Sequence, residues 1–180
     1  MSETLTRSIS GIVYIVLLVG ATLYANWSFE FLIIAFLFIG IFEFSKLYKT
    51  ALIPSILIGI FFVVPLISGN EIYQKIIPYF LLFEIPFLLF LIYDLFKGEF
   101  KIYSNKLIKY VFLLGYVILP FLILTQLPLI HKSYEPKIVI GMFILIWNND
   151  TFAYICGKSF GKRKLFEKMS PKKTIEGFVV

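Results

Sequence analysis

The chain has 180 residues, of which 59% are hydrophobic and 16% charged, with a mean hydropathy of +0.90 and a net charge of +6. Soluble domains average about 45–50% apolar and about 25% charged residues, and one globular core of this length cannot bury so much apolar surface, so a soluble domain is excluded. A single cysteine, Cys156, and a single histidine, His131, exclude an internal disulfide, a thiolate cage and any site that needs two imidazoles.

Six apolar stretches follow in order, at about Ile9–Ala25, Phe29–Phe44, Leu52–Ile67, Ile76–Tyr93, Leu107–Thr125 and Ile138–Cys156. A helix needs roughly 20 mainly apolar residues to cross the hydrocarbon of a bilayer. Backbone groups in lipid must bond within their own segment, and no barrel-type alternation is present, so the stretches read as helices. The first has Arg7 ahead of an apolar run, as a signal peptide would, but the second span follows almost at once with no small-residue cleavage site. The expected fold class is all-α, a polytopic transmembrane helix bundle of about six spans. Residues 1–137 would hold about five of them, and residues 138–180 the sixth span and a basic loop.

Basic residues orient such a bundle. Arg7, Lys46, Lys49, Lys97, Lys101, Lys106, Lys109 and seven cations after the sixth span fall at one set of ends, against Lys75, Lys132 and Lys137 at the other. This asymmetry predicts a cytoplasmic N-terminus and a cytoplasmic C-terminus. Prolines at 54, 65, 78, 86 and 120 punctuate the helices, and Glu176-Gly177-Phe178-Val179-Val180 reads as the start of a seventh span.

Asp150 is the sharpest single feature, because a carboxylate inside a span is costly, by about 2.5–3.5 kcal/mol, and is a functional candidate by default. The i, i+3, i+4, i+7 spacing puts Asp150, Ala153, Tyr154 and Gly157 on one helical face, an acid among small residues. The bland alternative is a helix-end acid that snorkels to water. The segment Gly157 to Gly177 then gathers Lys158, Lys162, Arg163, Lys164, Lys168, Lys172 and Lys173 with the hydroxyls of Ser170 and Thr174. Lysines, hydroxyls and backbone amides bind phosphate well, whereas basic juxtamembrane runs also serve as topology determinants and lipid contacts. Orientation alone needs no prolyl turn, paired hydroxyls or acid, which Ser170-Pro171-Lys172-Lys173-Thr174 and Glu176 supply. Glu43, expected half-buried, and Glu84, near the middle of the fourth span between Pro78 and Pro86, are further acids; Glu30 and Asp94 sit at span ends and are expected to be solvated.

Two motifs fail. Gly157-Lys158-Ser159 ends like a phosphate-binding P-loop, but Phe152 occupies the required leading glycine position. A Ser–His–Asp triad would need His131, in an opposite loop from Ser170.

The stretch Asp150, Ala153, Tyr154, Gly157, Lys158, Phe160, Gly161, Lys162, then Lys164-Leu165, then Ser170, Pro171, Lys173, Thr174, Glu176, Gly177 resembles the signature of the phosphatidate cytidylyltransferases. Asn149 stands where serine is common in that family. The family's second signature, with Lys-Asp, His-Gly-Gly and Asp-Arg-x-Asp, does not occur here, and the 180 residues are expected to be the first two-thirds of such an enzyme. The resemblance implies synthesis of CDP-diacylglycerol and pyrophosphate from CTP and phosphatidic acid in a cell membrane, with the active site facing the cytoplasm. It implies Mg²⁺ as cofactor, held by Asp150, with Asp150, Lys173 and Glu176 as catalytic residues and Glu176 orienting a lysine. Lys158, Lys162, Ser170, Lys172 and Thr174 would bind substrate. Partners are CTP, phosphatidic acid and membrane lipid, with a homodimer also implied and nucleic acid not expected. A CDP-alcohol phosphotransferase would need an Asp-Gly-x-x-Ala-Arg run, and Asp150-Thr151-Phe152-Ala153 lacks its glycine and arginine. The rival readings are a secondary transporter using Glu84 and a non-catalytic membrane fragment.

Overall fold

A computed structural model describes residues 3–69, 71–97, 105–131, 133–166 and 170–179. The chain divides into two compact units, Met1–Tyr134 and Glu135–Val180.

The first unit is helical. α1 (Glu3–Tyr24), α2 (Asn26–Tyr48), α3 (Leu52–Ile67) and α4 (Glu71–Lys97) are followed by α5 (Lys106–Leu113), a π-helical turn (Leu114–Ile118), α6 (Leu119–Gln126) and a 3-10 turn (Leu127–Leu129). Asn26–Tyr48, Tyr79–Phe96 and Lys106–Leu129 are long and apolar enough to cross a membrane, while Ile9–Tyr24 and Leu52–Ile67 are shorter apolar helices. These are the expected spans, and the all-α polytopic reading holds.

α2 is the hub, packing on α1, α3, α5, the π turn and α6. Its buried residues Phe29, Ile33, Leu37, Ile41, Phe44 and Ser45 recur every three or four positions, so one stripe faces protein. Gly59 lets α3 come close: a Cβ there would lie 2.6 Å from Ile41 Cδ1. At the end of α2, Lys49 adopts the left-handed conformation (φ 53°, ψ 43°) and its N–H bonds Ser45 O. Lys109 Nζ donates to Tyr48 O at 2.7 Å. That places an ammonium where the helix leaves carbonyls unpaired and carries partial negative charge. Tyr134 closes the other end of the unit, its hydroxyl donating to Thr22 O at 2.6 Å. Burial first, then the Glu30 carboxylate, pushes the Tyr134 phenol above its ordinary pKa.

Pro120 explains the π turn. It has no N–H to donate to the Tyr116 carbonyl, and just ahead of it the ladder shifts by one, Leu119 N–H bonding Leu114 O. Gly115 within this turn accepts the Phe87 ring of α4 against its backbone, where a Cβ would lie 2.6 Å from Phe87 Cδ1. Phe87 also meets Phe112 edge-on, with centroids 5.4 Å apart.

Two acids differ from expectation. Asp94 is buried, at 6% exposure, because α4 continues to Lys97 and residues 84, 87, 91 and 94 form one inward stripe. Glu43 is exposed, since the α2 stripe runs through Ile41, Phe44 and Ser45 and leaves position 43 off its face. Glu84 is buried at 5% exposure, and neither carboxylate oxygen has a hydrogen-bond partner among the described residues.

The second unit begins with α7 (Pro136–Phe160), a further helix long and apolar enough to cross a membrane, at about 37 Å for 25 residues. The basic segment after it was expected to be a loop. It folds instead into an antiparallel hairpin, β1 (Lys164–Phe166) and β2 (Ser170–Thr174), closed by a single turn, α8 (Ile175–Phe178). Lys164 pairs with Thr174 and Phe166 with Ser170, with a bulge between the two pairs.

Candidate active site

The second unit holds a cavity of about 960 Å³. One wall is α7, which turns two stripes toward it: Asp150, Tyr154 and Lys158 at i, i+4, i+8, and Asn149, Ala153 and Gly157 beside them. The other wall is the hairpin and α8, which contribute Lys164, Leu165, Lys173, Thr174, Gly177 and Phe178.

Glycine makes this juxtaposition possible. A Cβ on Gly177 would lie 2.5 Å from Ala153 O and 3.0 Å from Gly157 Cα, both of them α7 backbone. On Gly161 it would lie 2.6 Å from Thr174 Cγ2. α8 and β2 therefore approach α7 at main-chain distance, with Thr174 wedged between Gly157 and Gly161. Thr174 also caps α8, its hydroxyl accepting from Gly177 N at 3.3 Å.

Charge inside the cavity is segregated. Asp150 stands about 21 Å along α7 from Pro136, exposed to the cavity. Lys158, Lys164 and Lys173 converge on the same space, and Lys158 Nζ lies 5.9 Å from the centre of the Tyr154 ring, a cation–π distance. One acid and three ammonium groups around a space of this size suit an anionic ligand that carries a divalent cation. No group of three or more His, Cys, Asp or Glu side chains is placed to hold a metal among the described residues.

The expected site residues separate into two sets. Asp150, Lys158, Lys173 and Thr174 come together around the cavity. Lys162, Ser170 and Glu176 are not among its lining residues, and the Lys172 side chain lies outside the described residues. The Glu176 carboxylate, expected to orient a lysine, instead accepts main-chain amides: Lys162 N donates to Oε2 at 3.1 Å, and Arg163 N donates to both oxygens at 3.3 Å. Those donors hold its carboxyl below the usual range, the Glu176 amide itself first and the Arg163 and Lys162 amides after a smaller opposing effect of burial, with the Arg163 charge adding last. Lys164, Leu165 and Phe178 line the cavity without having been expected there as site residues. Only the hairpin brings Lys164 round, as the cross-strand partner of Thr174. Glu84 belongs to the first unit.

The Cytidylyltransferase family matches residues 5–180. Among named proteins, the phosphatidate cytidylyltransferase of Aquifex aeolicus is 45% identical over 75 residues, 42% of this chain and 27% of that protein. The phosphatidate cytidylyltransferase of Bacillus subtilis is 57% identical over 35 residues, covering 19% of this chain and 13% of its own length. That of Haemophilus influenzae is 36% identical over 81 residues, covering 42% and 28%. The matched segments thus span less than a third of these relatives. No solved structure matches.

Proposed function

The chain belongs to the cytidylyltransferase family, and we propose that its cavity is where CTP meets phosphatidic acid to give CDP-diacylglycerol and pyrophosphate. The observation that carries this reading is the convergence of Asp150 with Lys158, Lys164 and Lys173 on one cavity at the end of an apolar helix. A phosphate oxygen of the lipid attacks the α-phosphorus of CTP, and the bond from that phosphorus to the bridging oxygen of the β-phosphate breaks as pyrophosphate leaves. Both reactants are strongly anionic, so the difficulty is repulsion, and fixed positive charge in a partly dry site addresses it.

Each lining group has a role in that scheme. The three lysines hold phosphate oxygens as point charges. Mg²⁺ fits one carboxylate plus substrate phosphates and waters rather than an all-protein cage, and Asp150, with no acidic cluster around it among the described residues, is the group that would hold it. The cation neutralises charge on the phosphates it bridges. Thr174 keeps its hydroxyl hydrogen free for a phosphate oxygen while its oxygen caps α8. With the C-terminal end of α7 at the cytoplasmic surface of the cell membrane, as the basic residues favour, acyl chains stay in lipid and the headgroup reaches the lysines. The family and the named relatives do not favour a Glu84-based transporter or a non-catalytic role.

The test is direct. The protein in lipid micelles, given labelled CTP, phosphatidic acid and Mg²⁺, is expected to form labelled CDP-diacylglycerol, resolved by thin-layer chromatography, and Asp150→Asn to abolish it. A folded protein that neither binds CTP nor makes product, or an Asp150→Asn variant at wild-type rate, would overturn the reading.

A further inference from the structure

The two amides that follow α7, those of Lys162 and Arg163, lie beyond the helical ladder and before β1 begins at Lys164. Consecutive main-chain N–H groups in a turn form a concave site for an anion. Here the anion is supplied by the chain itself, from 13 and 14 residues away. Ile175 N donates to Arg163 O at 2.9 Å, so Arg163 is gripped through both its amide and its carbonyl. The residue pair 162–163 is thereby tied to the pair 175–176. Lys158, Lys164 and Lys173 all lie within four residues of that tie. A general acid or base must reach the reacting atoms, and Glu176 is not among the residues that line the cavity.

We propose that Glu176 is a positioning residue: its carboxylate clamps the turn between α7 and β1, and the clamp sets the angle at which the cavity lysines converge. The proposal rests on the reading of the cavity as the cytidylyl-transfer site. Glutamine keeps an oxygen that accepts these amides, and alanine keeps none.

The full chain is reconstituted in lipid nanodiscs as wild type, Glu176→Gln and Glu176→Ala, and residue-resolved amide exchange is measured beside CTP turnover. Losing two hydrogen bonds of ordinary strength should speed exchange at Lys162 and Arg163 about tenfold in Glu176→Ala and about threefold or less in Glu176→Gln. KM for CTP should rise about tenfold in the alanine variant, kcat should fall less, and glutamine should restore both to within about threefold. Unchanged exchange in Glu176→Ala overturns the clamp. Fast exchange with KM and kcat unchanged overturns its positioning role. Turnover lost equally in both variants, with the amides of Glu176→Gln still protected, assigns Glu176 to the chemistry instead. A wild type that neither binds nor converts CTP refutes the functional reading, and exchange along residues 162–166 still decides whether the clamp holds the hairpin.

Discussion

The closest approach in the active-site unit gives the sharpest prediction. Gly177→Ala would place a methyl carbon 2.5 Å from Ala153 O, with Gly157 Cα at 3.0 Å and Gly157 N at 3.1 Å. All three are backbone atoms of α7, so no side chain can rotate away. A comfortable C···O contact is about 3.3 Å or more, so α8 must retreat by ~0.8 Å and carry the end of β2 with it. Overpacking of this kind costs about 1–3 kcal/mol. A displacement near 1 Å in a site that aligns reactants costs up to ~10²-fold in rate, equivalent to about 2.7 kcal/mol of transition-state stabilisation. We expect kcat/KM for CDP-diacylglycerol synthesis to fall roughly 30–100-fold. The matched control is Gly141→Ala in the same helix, where an added Cβ meets no heavy atom within 4 Å. It should leave synthesis unchanged and stabilise α7 by up to about 1 kcal/mol. Folding is followed by the reaction of a maleimide dye with Cys156, the single thiol. A Gly177→Ala variant within twofold of wild type would refute the reasoning.

Other expectations follow from the same geometry. Lys164→Ala, which sequence reasoning left out of the site, should raise KM for CTP about tenfold while leaving the thermal unfolding midpoint near wild type, because a phosphate contact to a charged group contributes about 1.5–3 kcal/mol; an unchanged KM would remove it from the site. The Glu176 carboxyl is held below its ordinary value of 4.5, so the clamp's contribution is fully present above the unfolded value and is lost as pH falls through the lower folded one. Exchange at Lys162 and Arg163, corrected for intrinsic rates, should be flat from neutral pH down to about 5 and accelerate only below the usual carboxylate range; loss of protection already at pH 6 would contradict this. Tyr134 behaves oppositely. Its phenol is pushed above its ordinary value of 10.0, so its contribution is complete below pH 10 and lost as pH rises through the folded value. Tyr134→Phe should destabilise the protein by about 0.5–1.5 kcal/mol at neutral pH, and the difference from wild type, read by circular dichroism, should vanish at strongly alkaline pH.

The spans were legible because a bilayer demands one thing of a crossing segment, a long apolar window, and the sequence states that demand residue by residue. Asp150 was legible for the converse reason, as a charge that such a window should not contain. The hairpin was not. Ser170-Pro171-Lys172-Lys173-Thr174 has no apolar alternation to announce a strand, and its pairing with Lys164–Phe166 is enforced by α8 resting on the α7 backbone. Once the hairpin was missed, the role of Glu176 was missed with it. Its partners are main-chain amides 13 and 14 residues back, and only a fold brings them together. Asp94 shows the limit of reading helix ends: it was taken as solvated because Lys97 follows closely, yet the helix simply carries its inward stripe to the last turns.

The π turn at Leu114–Ile118 acts as a phase shifter. A straight helix advances by about 100° per residue, and the extra residue lets Phe112 and Leu113 on one side, and Leu119, Leu122 and Thr125 on the other, all reach the core. Deleting one residue inside the turn would restore regular winding and rotate everything beyond it by about 100° relative to α5, bringing Leu122 and Thr125 out toward lipid. A point substitution there disturbs one contact; a one-codon deletion would put half a transmembrane segment out of step with its neighbours.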